Sequence, residues 1–192
     1  MTTFEQLAGL PGTGPWPEQF THSPWGTHSE GLVVRFCPSS GASWVGNFQR
    51  GFLSLDGVFL HPNGSSVLVV AGGEVFIVDP QSRQSIDSLH GAVQAVYPLN
   101  GGKLLVMSLQ DLRFEALGPN GLIWSTRRLS YDGFRNLVVT EEEICGEGWT
   151  YEGDCWLQFK VDVKSGRSDG GACHQNDAGH DELFDCVAVR SD

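Results

Sequence analysis

Cys173, His174, His180 and Cys186, with Asp181 beside the second histidine, are the most ligand-like set of side chains in the sequence. Thiolates and imidazoles of this kind can hold zinc tetrahedrally, which would make the chain a metal-binding protein or a metal-dependent enzyme. Their spacing follows none of the finger or ribbon patterns, and adjacent Cys173 and His174 would point apart in a strand. The plainer expectation is a polar segment with incidental Cys and His. Glu141, Glu142 and Glu143 are a second concentration of charge. They could share acid–base or metal work only by converging, whereas neighbours along a strand alternate faces, so a solvated turn is expected. His22, His28, His61 and His90 have no histidine or cysteine at i+2 or i+4. A general base needs a positioned partner, so these read as turn or packing residues. The sequence holds no Gly-x-Ser-x-Gly elbow, phosphate loop, dinucleotide fingerprint or His-Glu-x-x-His. No catalytic residue and no cofactor is assigned, and metal chemistry stays with the Cys173/His174/His180/Asp181 alternative.

Charge points to another class of function. The net charge is −11, and residues 141–192 carry 13 acidic against 4 basic residues. Such a surface repels nucleic acid and anionic membranes and attracts basic proteins. Trp149, Tyr151 and Trp156 flank a predicted hairpin loop within this acidic stretch. Aromatic anchors beside steering charges are the usual make-up of a protein-docking surface. The expected protein-binding residues are therefore Glu141, Glu142, Glu147, Trp149, Tyr151, Glu152 and Trp156. The expected function is non-enzymatic: an immunity protein, or antitoxin, that blocks a basic bacterial toxin. Trp124–Gly133 is the one basic, aromatic stretch, and Arg127 and Arg128 are expected to pair with carboxylates on a neighbouring strand.

The elements that must position these residues are short strands. Apolar runs such as Val67-Leu68-Val69-Val70 and Leu104-Leu105-Val106-Met107 are too short and too β-branched to be helices. A strand running into a polar turn recurs at Cys37, Asp79, Gly118 and Asp162, at spacings of 42, 39 and 44 residues. That period predicts an all-β fold, a small propeller-like array of antiparallel sheets with about four units of roughly 40 residues. Asn63-Gly64, Asn100-Gly101 and Asn120-Gly121 predict hairpins, the first of type I′. One domain is expected. Residues 1–30 would form an irregular strap held by Trp16, Phe20 and Trp25, with an optional short helix at Thr3–Leu10. Residues 31–172 would hold the repeats. Residues 173–192 would form a polar loop and a closing strand at Leu183–Val189.

The N-terminus shows neither a basic region nor an apolar core of signal type, and no apolar run reaches the ~18 residues a membrane span requires. With five cysteines this predicts reduced thiols and a cytoplasmic protein. Cys145 and Cys155 could face each other across one hairpin, but a disulfide there is not the favoured expectation. The strings Thr27–Val34, Trp44–Phe48, His61–Gly64, Ala71–Gly73, Val78–Pro80 and Arg128–Gly133 resemble a group of small uncharacterised bacterial proteins with β repeats. The resemblance implies a compact β fold and no particular activity. More loosely, Val78–Pro80 and Phe114–Trp124 resemble strand-and-turn units of quinoprotein-type propellers.

Overall fold

A computed structural model describes residues 3–23, 29–87 and 92–172. Among the described residues, sixteen strands form four sheets of four, each built from one continuous stretch of chain. The first sheet contains β1 (Thr3–Leu7), β2 (Glu18–Phe20), β3 (Leu32–Cys37) and β4 (Trp44–Phe48) in the order β1-β3-β4-β2. The second has β5 (Gly57–Leu60), β6 (Val67–Ala71), β7 (Glu74–Asp79) and β8 (Gln84–Asp87). The third has β9 (Val93–Leu99), β10 (Lys103–Ser108), β11 (Arg113–Gly118) and β12 (Gly121–Ser125). The fourth has β13 (Phe134–Val139), β14 (Glu143–Thr150), β15 (Cys155–Asp162) and β16 (Ser168–Gly170). The last three sheets are simple antiparallel meanders. The fold is all-β and propeller-like, as the sequence predicts.

Strand alternation explains how the sheets stack. Every residue of β6 is buried, because successive side chains point to opposite faces and both faces are covered. Val67, Val69 and Ala71 join the seam with the first sheet, while Leu68 and Val70 join the seam with the third. β10 repeats the arrangement, with Leu104 and Val106 toward the second sheet and Leu105 and Met107 toward the fourth. The first seam is the most aromatic: Phe20 stacks on Phe48 and Phe36 on Trp44, each with centroids 4.4 Å apart. Phe36 and Phe48 are fully buried, a contribution of about 1.5–3 kcal/mol apiece.

The first unit is built differently from the others. The Asp79, Gly118 and Asp162 turns each join a central strand to an edge strand, whereas the Cys37 turn joins the two central strands β3 and β4. The edge of the first sheet is supplied by β2, which runs parallel to β4. Two strands therefore form within residues 1–30, where an irregular strap was expected. Thr3–Leu7 is a strand rather than a helix, because it pairs antiparallel with β3 along its whole length, from Thr3 opposite Cys37 to Leu7 opposite Val33. Of the strap aromatics, Phe20 is buried in the core, Trp16 is 95% exposed, and Trp25 lies outside the described residues.

Side chains set the turns. Asp79 accepts hydrogen bonds from the Gln81 amide and the Ser82 hydroxyl, and Asp162 accepts them from the Ser165 amide and hydroxyl. A residue with positive φ follows each serine: Arg83 at 60° and Gly166 at 72°. The Asn63 turn is not type I′, since only Gly64 has positive φ there. Asn63 instead accepts from the Ser65 and Ser66 amides, an Asx turn that leaves its own φ negative.

Candidate docking face on the fourth sheet

β14 alternates strictly. Residues 144, 146, 148 and 150 are buried toward the third seam, and residues 143, 145, 147 and 149 are half-buried on the opposite face. The pairing register places Glu143 opposite Asp162, Cys145 opposite Lys160, Glu147 opposite Gln158 and Trp149 opposite Trp156. Three of the expected binding residues, Glu147, Trp149 and Trp156, therefore share one face. Tyr151 and Glu152 lie in the adjoining β14–β15 loop, with Tyr151 59% exposed. Glu141 and Glu142 lie beyond the other end of β14, whose eight residues span about 26 Å. Those two carboxylates do not join the aromatic patch. Glu141 accepts a hydrogen bond from the Asn100 amide and so ties the fourth sheet to a turn of the third.

The acidic character of the face is largely compensated. Arg135 on β13 pairs with Glu147, and its guanidinium lies 4.5 Å from the Trp156 ring centroid. Asn136 donates a further hydrogen bond to Glu147. Lys160 pairs with Glu143, which lowers the glutamate pKa and raises that of the lysine. Burial pushes the Cys145 thiol up, and the neighbouring Glu143 carboxylate, which accepts its hydrogen bond, adds to the shift. At the hairpin end, two carboxylates have no ion pair among the described residues. Glu152 is exposed there, and Asp154 accepts from the Trp149 indole at 3.1 Å. Tyr151 meets Tyr131 edge to face at 4.6 Å, and Arg128 stacks over Tyr131 at 5.4 Å.

Sequence reasoning missed Arg135, Tyr131 and Asp154. Arg135 and Tyr131 lie far enough along the chain that only strand pairing or loop packing brings them to the hairpin. Arg127 and Arg128 correct an expectation: they bond not to carboxylates but to backbone carbonyls, of Gly170 and of Ser130 and Tyr131. The Ser130 and Tyr131 carbonyls lie in the loop before β13 and the Gly170 carbonyl ends the edge strand β16, and the guanidinium groups donate to them. His61 is a packing residue, 6% exposed, with its pKa lowered by burial and its Nδ1 accepting from the Asn63 amide.

Cys145 and Cys155 do not face each other, since Cys155 is opposite Thr150. Cys37 and Cys145 are free thiols, whereas Cys155 is disulfide-bonded. The expectation of uniformly reduced thiols is therefore overturned, because cysteine spacing does not report pairing. Cys173, His174, His180, Asp181 and Cys186, with the closing strand expected at Leu183–Val189, lie outside the described residues, as do His28 and His90. Among the described residues, no group of three or more His, Cys, Asp or Glu is placed to hold a metal ion, and no helix is long and apolar enough to cross a membrane.

No protein-family model and no curated protein matches the chain. Solved structures similar to it include hydrazine synthase of Kuenenia stuttgartiensis, at 12% identity over 65% of this chain and 51% of that one, with TM-score 0.30. The N-terminal domain of Nup159 is 13% identical over 88% and 49%, with TM-score 0.42. A catalytically inactive virginiamycin B lyase from Staphylococcus aureus, with quinupristin, is 10% identical over 91% and 75%, with TM-score 0.36. The chain spans about half the length of the first two. The fold description rests on the strand pairing itself.

Proposed function

We propose that the chain is a non-enzymatic binding protein that engages a basic protein through the β14–β15 hairpin, in the role of an immunity protein that blocks a bacterial toxin. The observation that carries this reading is the aromatic group Trp149, Trp156, Tyr131 and Tyr151 on one hairpin and its flanking loop, edged by the exposed Glu152 and Asp154. Large aromatics supply contact area at little entropic cost, and carboxylates at the edge steer a cationic partner. The docking set is narrower than the sequence suggests: Trp149, Tyr151, Glu152 and Trp156 form its centre. Glu147 holds Arg135 in place, and Glu141 and Glu142 lie at the far end. Co-expression with a basic toxin is the direct test. Protection should be lost in Trp149→Ala/Tyr151→Ala and retained in Glu141→Lys/Glu142→Lys. Death of cells carrying the unaltered chain would overturn the role, and protection by the aromatic double variant would move the site elsewhere.

A further inference from the structure

A cleft of about 500 Å³ opens where the first and second sheets meet, away from the fourth-sheet face. It is lined by His22, Gln49, Arg50, Phe52, Glu74 and Phe76. Its size falls within the range of small-molecule sites. The floor is held firmly. Gly51 donates to the Ala71 carbonyl, Leu53 to Gly72, and Gly73 to Leu55. A Cβ on Gly51 would stand 2.6 Å from the Gly72 oxygen, so the linking loop is pressed onto the β6–β7 turn as closely as a glycine permits.

The wall is flat and aromatic. The His22 imidazole lies parallel to Phe76, 4.3 Å away and 2° from coplanar. Phe76 is buried beneath it, and His22 remains 40% exposed, so one imidazole face is covered and the ring still borders the cleft. Phe52, on the rim, is 84% exposed, an unusual position for a large apolar ring. Charge selects the ligand. The Arg50 guanidinium is paired with Asp56 at 2.8 Å, and Asp56 is fixed by the Gly72 amide. The Glu74 carboxylate is 36% exposed, and its one ion-pair neighbour among the described residues is His22, at 3.9 Å. The cleft therefore offers a partly exposed carboxylate, with His22 as its one ion-pair neighbour among the described residues, beside two aromatic surfaces.

The geometry points to a binding site for a planar organic cation of the guanidinium class, paired with Glu74 and stacked on the open face of His22, with Phe52 at the rim. A guanidinium fits a carboxylate with two parallel hydrogen bonds and stacks on aromatic faces, which a compact ammonium does less well. Cation–π attraction to Phe52 adds to the carboxylate contact. This site is independent of the hairpin reading above.

Calorimetric titration of the full chain with agmatine is the test. Saturable one-to-one binding is expected, weaker by roughly tenfold in Glu74→Gln, the loss of about one charged hydrogen bond. Phe52→Ala should weaken it several-fold, and butylamine should bind less well than agmatine. Urea unfolding midpoints of the two variants, matched to the parent, would show that the site and not the fold has changed. An arginine-containing hexapeptide binding tighter than agmatine would assign the guanidinium to a protein partner, and the reverse order would assign it to a free metabolite. No saturable binding of agmatine, equal binding by Glu74→Gln in folded protein, or stronger binding of benzoate than agmatine would overturn the inference.

Discussion

The Trp124 indole packs against Gly166 and donates to the carbonyl of Val163 at 3.0 Å. Trp124 belongs to the third sheet and Gly166 to the Asp162 turn of the fourth, so one side chain latches two sheets together. Trp44 does the same between the first and second sheets, donating to the Pro80 carbonyl at 2.9 Å within the matching Asp79 turn. There the residue equivalent to Gly166 is Arg83, whose guanidinium lies 6.0 Å from the Trp44 ring. The Asp-x-x-Ser turn thus has two uses: it closes its own sheet and presents a carbonyl to the neighbouring one.

Gly166→Ala should be among the most damaging single changes outside the core. The position has φ of 72°, and a Cβ would come within 2.6 Å of the Trp124 ring. Left-handed strain and overpacking together should cost about 2–4 kcal/mol. Trp124→Phe, which keeps much of the ring but loses the indole donor, should cost about 1 kcal/mol. Urea unfolding of the two variants measures both.

The Asp162 carboxyl is held below the usual aspartate range by its hydrogen bonds from the Ser165 hydroxyl and amide. A depressed folded-state pKa means stability present at neutral pH and lost as pH falls from about 4 through the folded-state value. Ser165→Ala should shrink that acid limb. The Glu143–Lys160 pair adds a second acid-side contribution and an alkaline one, because the lysine pKa is raised. Lys160→Met should flatten both limbs, and thermal melts across pH would show it.

Alkylation should separate the free thiols. Cys37 is exposed and Cys145 is half-buried with a raised pKa. At pH 8 iodoacetamide should modify Cys37 first, because the thiolate is the nucleophile. Glu143→Gln should speed modification of Cys145 by removing the adjacent negative charge, which raises the thiol pKa. Peptide mapping by mass spectrometry would read both rates.

Asn63→Ala should destabilise the second sheet by about 1–2 kcal/mol, since the Ser65 and Ser66 amides lose their acceptor. Asn63→Asp should recover most of the loss, because a carboxylate accepts the same two bonds. Chemical denaturation distinguishes the two.

Strand content, the repeat period and the Asp79 and Asp162 turns were all legible in the sequence. Each depends on local chemistry: β-branched runs, glycine and asparagine at turns, and a carboxylate three residues before a serine. The packing histidine at His61 was legible for the same reason. The position of the first unit was not. Its Cys37 turn has the right spacing but joins different strands, and only the parallel docking of β2 on β4 reveals this. The candidate docking face was half legible. Trp149 and Trp156 are close in sequence, but the pairing that sets them opposite each other also brings Arg135 onto Glu147 and cancels charge that composition alone would count as free. The Glu74 cleft gave no sequence signal at all, because its residues come from three separate segments. Local backbone preference is written in neighbouring residues, whereas charge compensation and cavity shape depend on which distant side chains the stacked sheets bring within a few ångströms.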